Sequence, residues 1–228
     1  MLFWAMLIDF HTHINHFKAH QLSAGNDVLS VFSFSMGEDV RECNWMSIGW
    51  HPWHIVENKV ADTLLSLDKY IRHYNPAVIG ECGIDKCCAN TVSLALQQKV
   101  FEYHLQLSEK YSKPLVIHCV KSFNELVTIK RRYKPKQPWI VHGYNNNVQI
   151  SQMLLNEGML LSFGSALLKI DSNARKVLAD IDNHLFFLET DGKEVSIEEI
   201  YKVASEVRKT PVNVLENILQ QNFERIIF

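Results

Sequence analysis

The sequence lacks any apolar run near the ~18 residues that cross a bilayer. Its longest such stretch, residues 1–8, is broken at once by Asp9 and His11. That stretch has neither the positive lead nor the small-residue cleavage site of a secretory leader, and it reads as a buried first strand. An excess of positive charge is also missing: 23 Lys and Arg against 25 Asp and Glu leave a net charge of −2. A protein that coats or bends DNA through a bulk basic field is thereby excluded. An enzyme that grips phosphates through metal ions is not. The five cysteines, Cys43, Cys82, Cys87, Cys88 and Cys119, follow no disulfide or zinc-finger spacing, which fits reduced thiols in a cytoplasmic protein. No Pro/Gly/Ser-rich stretch divides the 228 residues. The expectation is one domain over 1–228. What the chain does have is histidine, eleven in all.

Short apolar runs rich in β-branched and aromatic residues fall at 2–10, 28–34, 45–50, 77–81, 115–119, 139–142, 159–163 and 185–189. Helix-periodic stretches lie between most of them. Leu64, Leu67, Ile71 and Tyr74 repeat at intervals of three, four and three; Leu96, Val100, Tyr103 and Leu107 at four, three and four. Further helices are predicted at 123–133, 148–156, 172–181, 196–208 and 211–222. The stretch 14–27 is short and contains glycine, which predicts a reduced or missing first helix. Eight strands in alternation, apolar on both faces, predict a parallel sheet covered by helices. A doubly wound open sheet often carries a Gly-rich turn after its first strand. Here that place reads Asp9-Phe10-His11-Thr12-His13. The pattern therefore favours a compact α/β fold, a (β/α)8 TIM barrel, whose active site belongs at the carboxyl ends of the strands.

The polar residues of interest sit at those ends. His11 and His13, two apart at a strand end, point the same way and could share one metal ion. They also fit two capping histidines. Asp9, on the same face, could orient a ligand. Glu81 ends an apolar run and is bracketed by Gly80 and Gly83, which permit close backbone approach. His118 and His142 each close an apolar strand, as ligands or as satisfied core residues. Asp191 follows the eighth run, with Glu189 one step deeper. Four imidazoles and two carboxylates from five strand ends make a two-metal inventory for hard or borderline divalent ions. Two such ions activate a water and stabilise the attacking and leaving oxygens of a displacement. Glu81 is the bridging candidate. Asp191 is the candidate to bind one ion and take the proton from the water, so both carboxylates are read as catalytic.

The order His-x-His, Glu, His, His, Asp resembles the TatD family of metal-dependent deoxyribonucleases, amidohydrolase-like barrels. The likeness is carried by Asp9-Phe10-His11-Thr12-His13, Gly49-Trp50-His51-Pro52, Gly80-Glu81-Cys82-Gly83-Ile84-Asp85, Pro114-Leu115-Val116-Ile117-His118, Val141-His142-Gly143 and Glu189-Thr190-Asp191. The closing Asn222-Phe223-Glu224-Arg225-Ile226-Ile227-Phe228 also matches. The resemblance implies a binuclear site of His11, His13, Glu81, His118, His142 and Asp191. It also implies phosphodiester hydrolysis that trims DNA from its 3′ end, with magnesium, manganese or zinc as the ions. His51 would then contact the scissile phosphate. Three places depart from the family pattern. Val120 stands where an arginine is usual, and Lys121 beside it is the candidate to bind substrate instead. Gly143-Tyr144-Asn145-Asn146 replaces the usual loop after the histidine. Gly192-Lys193-Glu194 replaces the usual Ala-Pro-aromatic after the aspartate.

Two other readings fit the sequence. One is a hydrolase of amide or ester bonds on the same barrel, where a carboxylated lysine often bridges the metals; Glu81 at that place disfavours it. The other is a non-catalytic, metal-binding descendant, suggested by the altered loops. A nucleic-acid substrate is the expected partner and a membrane is not. A monomer is compatible with the sequence, which does not fix the oligomeric state. The basic run Lys130, Arg131, Arg132, Lys134 and Lys136 fits a solvated helix end better than a nucleic-acid contact.

Overall fold

Apolar runs bounded by turn residues become strands, six of them buried at every residue and two, those over Val28–Ser35 and Leu115–Val120, partly so. A computed structural model describes residues 6–14, 28–41 and 43–228. The strands are β1 (Leu7–Thr12), β2 (Val28–Ser35), β3 (Met46–Gly49), β4 (Val78–Asp85), β5 (Leu115–Val120), β6 (Trp139–Val141), β7 (Leu160–Phe163) and β8 (Phe186–Leu188). All pair in parallel, in chain order, within one sheet. Around them lie α1 (Val60–Tyr74), α2 (Leu94–Tyr111), α3 (Phe123–Tyr133), α4 (Val148–Asn156), α5 (Asn173–Asp180), α6 (Ile197–Arg208) and α7 (Val212–Ile227). The result is a nearly closed (β/α)8 barrel. No helix among the described residues is long and apolar enough to cross a membrane.

Local signals explain the helices. In α1, Val60, Leu64, Leu67 and Ile71 form the buried stripe that faces the sheet. Ser93, Asn147, Ser172 and Ser196 each cap a helix by accepting a backbone N–H of its first turn. Two element ends lie furthest beyond expectation. β4 continues four residues past Glu81, to Asp85, and α7 runs to Ile227 rather than ending at Asn222. The expected shortening of the first helix falls on residues 15–27, outside those described.

Side chains close the seam between β8 and β1, where no ladder is formed among the described residues. The Tyr201 hydroxyl of α6 accepts the Ile8 N–H at 2.9 Å and donates to the Ile8 carbonyl at 3.3 Å. The buried Asp9 carboxylate accepts the backbone N–H of Thr190 at 2.9 Å and its hydroxyl at 2.7 Å. Asn222 of α7 donates to the carbonyls of Phe186 (3.0 Å) and Asn183 (2.7 Å) at the root of β8. The closing Asn-x-x-Arg segment is thus a tie between α7 and the last strand. Phe10 stacks on Phe187 across the same seam, centroids 4.2 Å apart.

Candidate metal centre

The carboxyl ends of five strands bring the six residues together. His11 lies in β1 and His13 just after it; Glu81 is in β4, His118 in β5, His142 directly after β6, and Asp191 beyond β8. Glycine lets β4 approach β5 closely enough. At Gly83 (φ +149°) an added Cβ would lie 1.9 Å from the His118 carbonyl oxygen, so no side chain fits. Asp191 has φ +52° and donates its N–H to the His11 carbonyl at 2.9 Å, which turns its carboxylate toward β1.

Glu81 stands at the middle. Its Oε2 faces His11 Nε2 (3.4 Å) and His13 Nε2 (3.7 Å). Its Oε1 faces His142 Nε2 (2.7 Å), His118 Nδ1 (3.0 Å) and His51 Nε2 (3.1 Å). Asp191 Oδ1 joins the first group, 3.7 Å from His11 Nε2 and 3.6 Å from His13 Nε2. One carboxylate therefore serves two sets of imidazoles with one oxygen each.

These donors fit divalent cations. Bonds of about 2.0–2.1 Å in tetrahedral geometry put neighbouring ligand atoms roughly 3.3 Å apart, close to the spacings above. His11 is fully buried, and neither of its ring nitrogens has a hydrogen-bond partner among the described residues. Leaving buried polar atoms bare costs about 1–3 kcal/mol each, and a cation on Nε2 relieves one of them. His118 makes the same point. Its Nε2–H donates to Asp85 Oδ2 at 3.1 Å, so a neutral ring presents a bare Nδ1 to the Glu81 oxygen. Two lone pairs that face each other across 3.0 Å suit a cation between them. His13 and Asp191 keep part of their side chains in solvent, which leaves the centre open on that side.

The electrostatics of this cluster are strongly coupled. Burial alone would raise the Glu81 carboxyl, but the charge of His142 and the nearness of His11, His118 and His142 hold it well below the usual range. Burial opposes protonation of His142, yet Glu81 and Glu189 raise it well above an ordinary imidazole. Asp191, although partly desolvated, is held low by His13, His142, His11 and Lys193. Burial pushes Asp9 up to about 7.

His51 joins the cluster through the turn Pro52–His54 that follows β3. Its Nδ1 accepts the backbone N–H of Trp53 at 3.1 Å, so a neutral ring carries its proton on Nε2. Nε2 of His51 then points at the centre as a donor, not as a lone pair for a metal. Lys121 sits at the end of β5 with φ +54° and an exposed side chain, and its ammonium has no ion pair among the described residues. It stands at the mouth without contacting the cluster. Asp9 bonds Thr190 rather than a histidine ring, and so positions the segment that carries Asp191.

Asp85, His104 and Trp53 have no role in the sequence reading, and Glu189, placed there one step deeper than Asp191, gains its partners here. Asp85 orients His118. Glu189 accepts the Gly143 N–H at 2.6 Å and lies 3.5 Å from His142 Nδ1. His104, buried in α2, accepts the Trp50 N–H on Nε2 at 3.0 Å, while its Nδ1–H donates to the Val100 carbonyl. It thereby fixes the strand end just before His51. Trp53 donates its indole N–H to Asp85 Oδ2 at 2.6 Å. The basic run does not reach the centre. Arg131 pairs with Glu157, Arg132 with Glu102, and Lys130 lies over the Trp139 ring.

The comparisons with known proteins agree on one family. The TatD related DNase family matches residues 8–227. An uncharacterized metal-dependent hydrolase of Buchnera aphidicola is 34% identical over 119 residues, 52% of this chain and 44% of that protein. The human 3'-5' RNA nuclease TATDN2 is 31% identical over 151 residues, 64% of this chain and 20% of that protein. The chain thus spans less than half the length of these curated relatives. Among solved structures, the TatD homologue YjjV of Escherichia coli K12 superposes with a TM-score of 0.79 at 18% identity, covering 97% of each chain, a likeness of fold.

Proposed function

Because this chain belongs to the TatD related DNase family, we propose that it is a metal-dependent phosphodiester hydrolase that trims single-stranded nucleic acid, DNA foremost, from its 3′ end. The division of the two Glu81 oxygens between two sets of imidazoles carries this reading. His11, His13, Glu81 and Asp191 would hold one divalent ion, and Glu81, His118 and His142 the other. Magnesium, manganese or zinc in these places supplies Lewis acidity and a nucleophilic water at neutral pH.

The chain's own groups do the rest. Asp191 stays ionised because four cationic or polar neighbours hold it so, and its carboxylate accepts the proton of the attacking water. The Nε2–H of His51 donates to a non-bridging phosphate oxygen where charge builds up. Lys121, without an ion pair at the mouth among the described residues, meets the next phosphate. Asp85 and Glu189 keep the rings of His118 and His142 in register.

The test is hydrolysis of single-stranded DNA and RNA by the purified protein with magnesium or manganese, beside His118→Ala and a chelated control. Activity that needs the metal and His118 supports the reading. Equal rates in wild type and variant, or turnover of amides and esters alone, would overturn it.

A further inference from the structure

Building on the phosphodiesterase reading, we propose that Trp53 is the platform on which a nucleobase of the substrate stacks beside the metal centre. Trp50 and Trp139 are buried, but Trp53 leaves 60% of its surface in solvent. A single exposed apolar residue is ordinary on a protein surface. An exposed tryptophan that is tied down at both its backbone and its ring is a more specific feature. The Trp53 amide donates to His51 Nδ1, and its indole N–H donates to Asp85 Oδ2 at 2.6 Å. The ring also stands edge-on to His51 (centroids 5.1 Å apart, 83°) and to His118 (5.9 Å, 76°).

The ring is therefore held in one orientation while much of it remains bare. The ring stands out from the core, and among the described residues its anchors are Asp85 and the two imidazoles. The anchors are themselves parts of the centre. Asp85 orients His118, and His51 aims its Nε2–H at Glu81 from 3.1 Å. A phosphate held at His51 thus lies one ring away from the indole, within the reach of a single nucleotide. A flat aromatic surface stacks any base without reading its edges, because every base has a π-face. The platform therefore favours single-stranded ends and tolerates any sequence. A base inside a duplex, stacked on both faces by its neighbours, gains nothing there.

The experiment compares kcat/KM of the manganese-loaded protein on single-stranded oligonucleotides with an abasic site placed in turn at each of the three 3′-terminal nucleotides. Wild type, Trp53→Ala and Trp53→Phe are measured. At one position, wild type should prefer the base-bearing substrate by about 5- to 150-fold, the range expected for stacking on an aromatic side chain. In Trp53→Ala that ratio should fall toward one. In Trp53→Phe, which keeps a ring and loses the indole N–H, most of it should survive. An unchanged ratio in Trp53→Ala overturns the platform, even if absolute rates fall, because that is the pattern of a merely structural role. Binding of the same labelled oligonucleotides, read by fluorescence anisotropy, separates this idea from the hydrolytic one. Trp53-dependent preference for the base-bearing strand supports the platform without turnover, and its absence in binding overturns it.

Discussion

Asp85 and His118 form a carboxylate–imidazole pair in which Oδ2 takes the Nε2–H at 3.1 Å, so the ring turns Nδ1 toward Glu81. Partners of this kind behind a ligand typically change metal affinity by about 10- to 100-fold. Asp85→Asn should weaken manganese binding by that factor in a calorimetric titration while the fold persists by circular dichroism. Unaltered affinity would show that His118 does not depend on Asp85 for its orientation.

Glu81 offers one oxygen to each group of imidazoles. Glu81→Gln should therefore lower occupancy at both places at once, whereas His13→Ala should empty only one. Elemental analysis after dialysis against a limiting metal distinguishes these patterns. Metal should also protect the fold: an ion at a hundred times its dissociation constant adds about 2.7 kcal/mol to stability. Chelation should consequently lower the melting temperature of wild type and leave that of Glu81→Gln nearly unmoved.

His51 is a donor by virtue of the Trp53 amide on its Nδ1. Replacing it with alanine should reduce kcat by about 10²–10³, the usual effect of losing one donor to developing negative charge. Metal content should stay at the wild-type level. A loss of one ion per chain in His51→Ala would make it a ligand instead.

His104 gives a pH signature. Burial lowers its imidazole from 6.5 to about 4, so the folded chain refuses a proton that the unfolded chain accepts. Its contribution is complete above pH 6.5 and drains away as pH falls from 6.5 to 4, by about 3 kcal/mol in all. In urea unfolding of chelated protein, His104→Gln should flatten the stability curve over that window. Parallel curves for wild type and variant would refute the assignment.

Asn222 satisfies two carbonyls at the foot of β8. Asn222→Ala should cost about 1–3 kcal/mol by leaving them without donors. For a chain of this size that is roughly 2–12 °C in melting temperature. A smaller shift would mean that water reaches the carbonyls freely.

The eight strands and seven α-helices of the described residues lie near the places their patterns predict, because strands of a parallel barrel are apolar on both faces and its helices are apolar on one. The six cluster residues were visible for a related reason: each is polar at the end of such a run. Asp85 was overlooked because Glu81 looked like the end of its strand. Glu81, Gly83 and Asp85 share one face of a strand, and that alternation was the available signal. His104 carried no comparable signal. It interrupts nothing in the helix period, and its partner, the Trp50 amide, lies 54 residues away. The tether of Trp53 likewise depends on a contact 32 residues distant.

The barrel's seam has a temporal consequence. The Asp9–Thr190 tie joins residues 181 apart. At synthesis rates of about 5–20 residues per second, the first strand waits roughly 10–40 s for the last. During that interval His11 and His13 have been made, but the aspartate of their proposed group has not. Until then the group that His11 and His13 share with Glu81 is incomplete. On the proposed reading, the hydrolytic centre would be complete only once Asp191 has been made and the barrel closes.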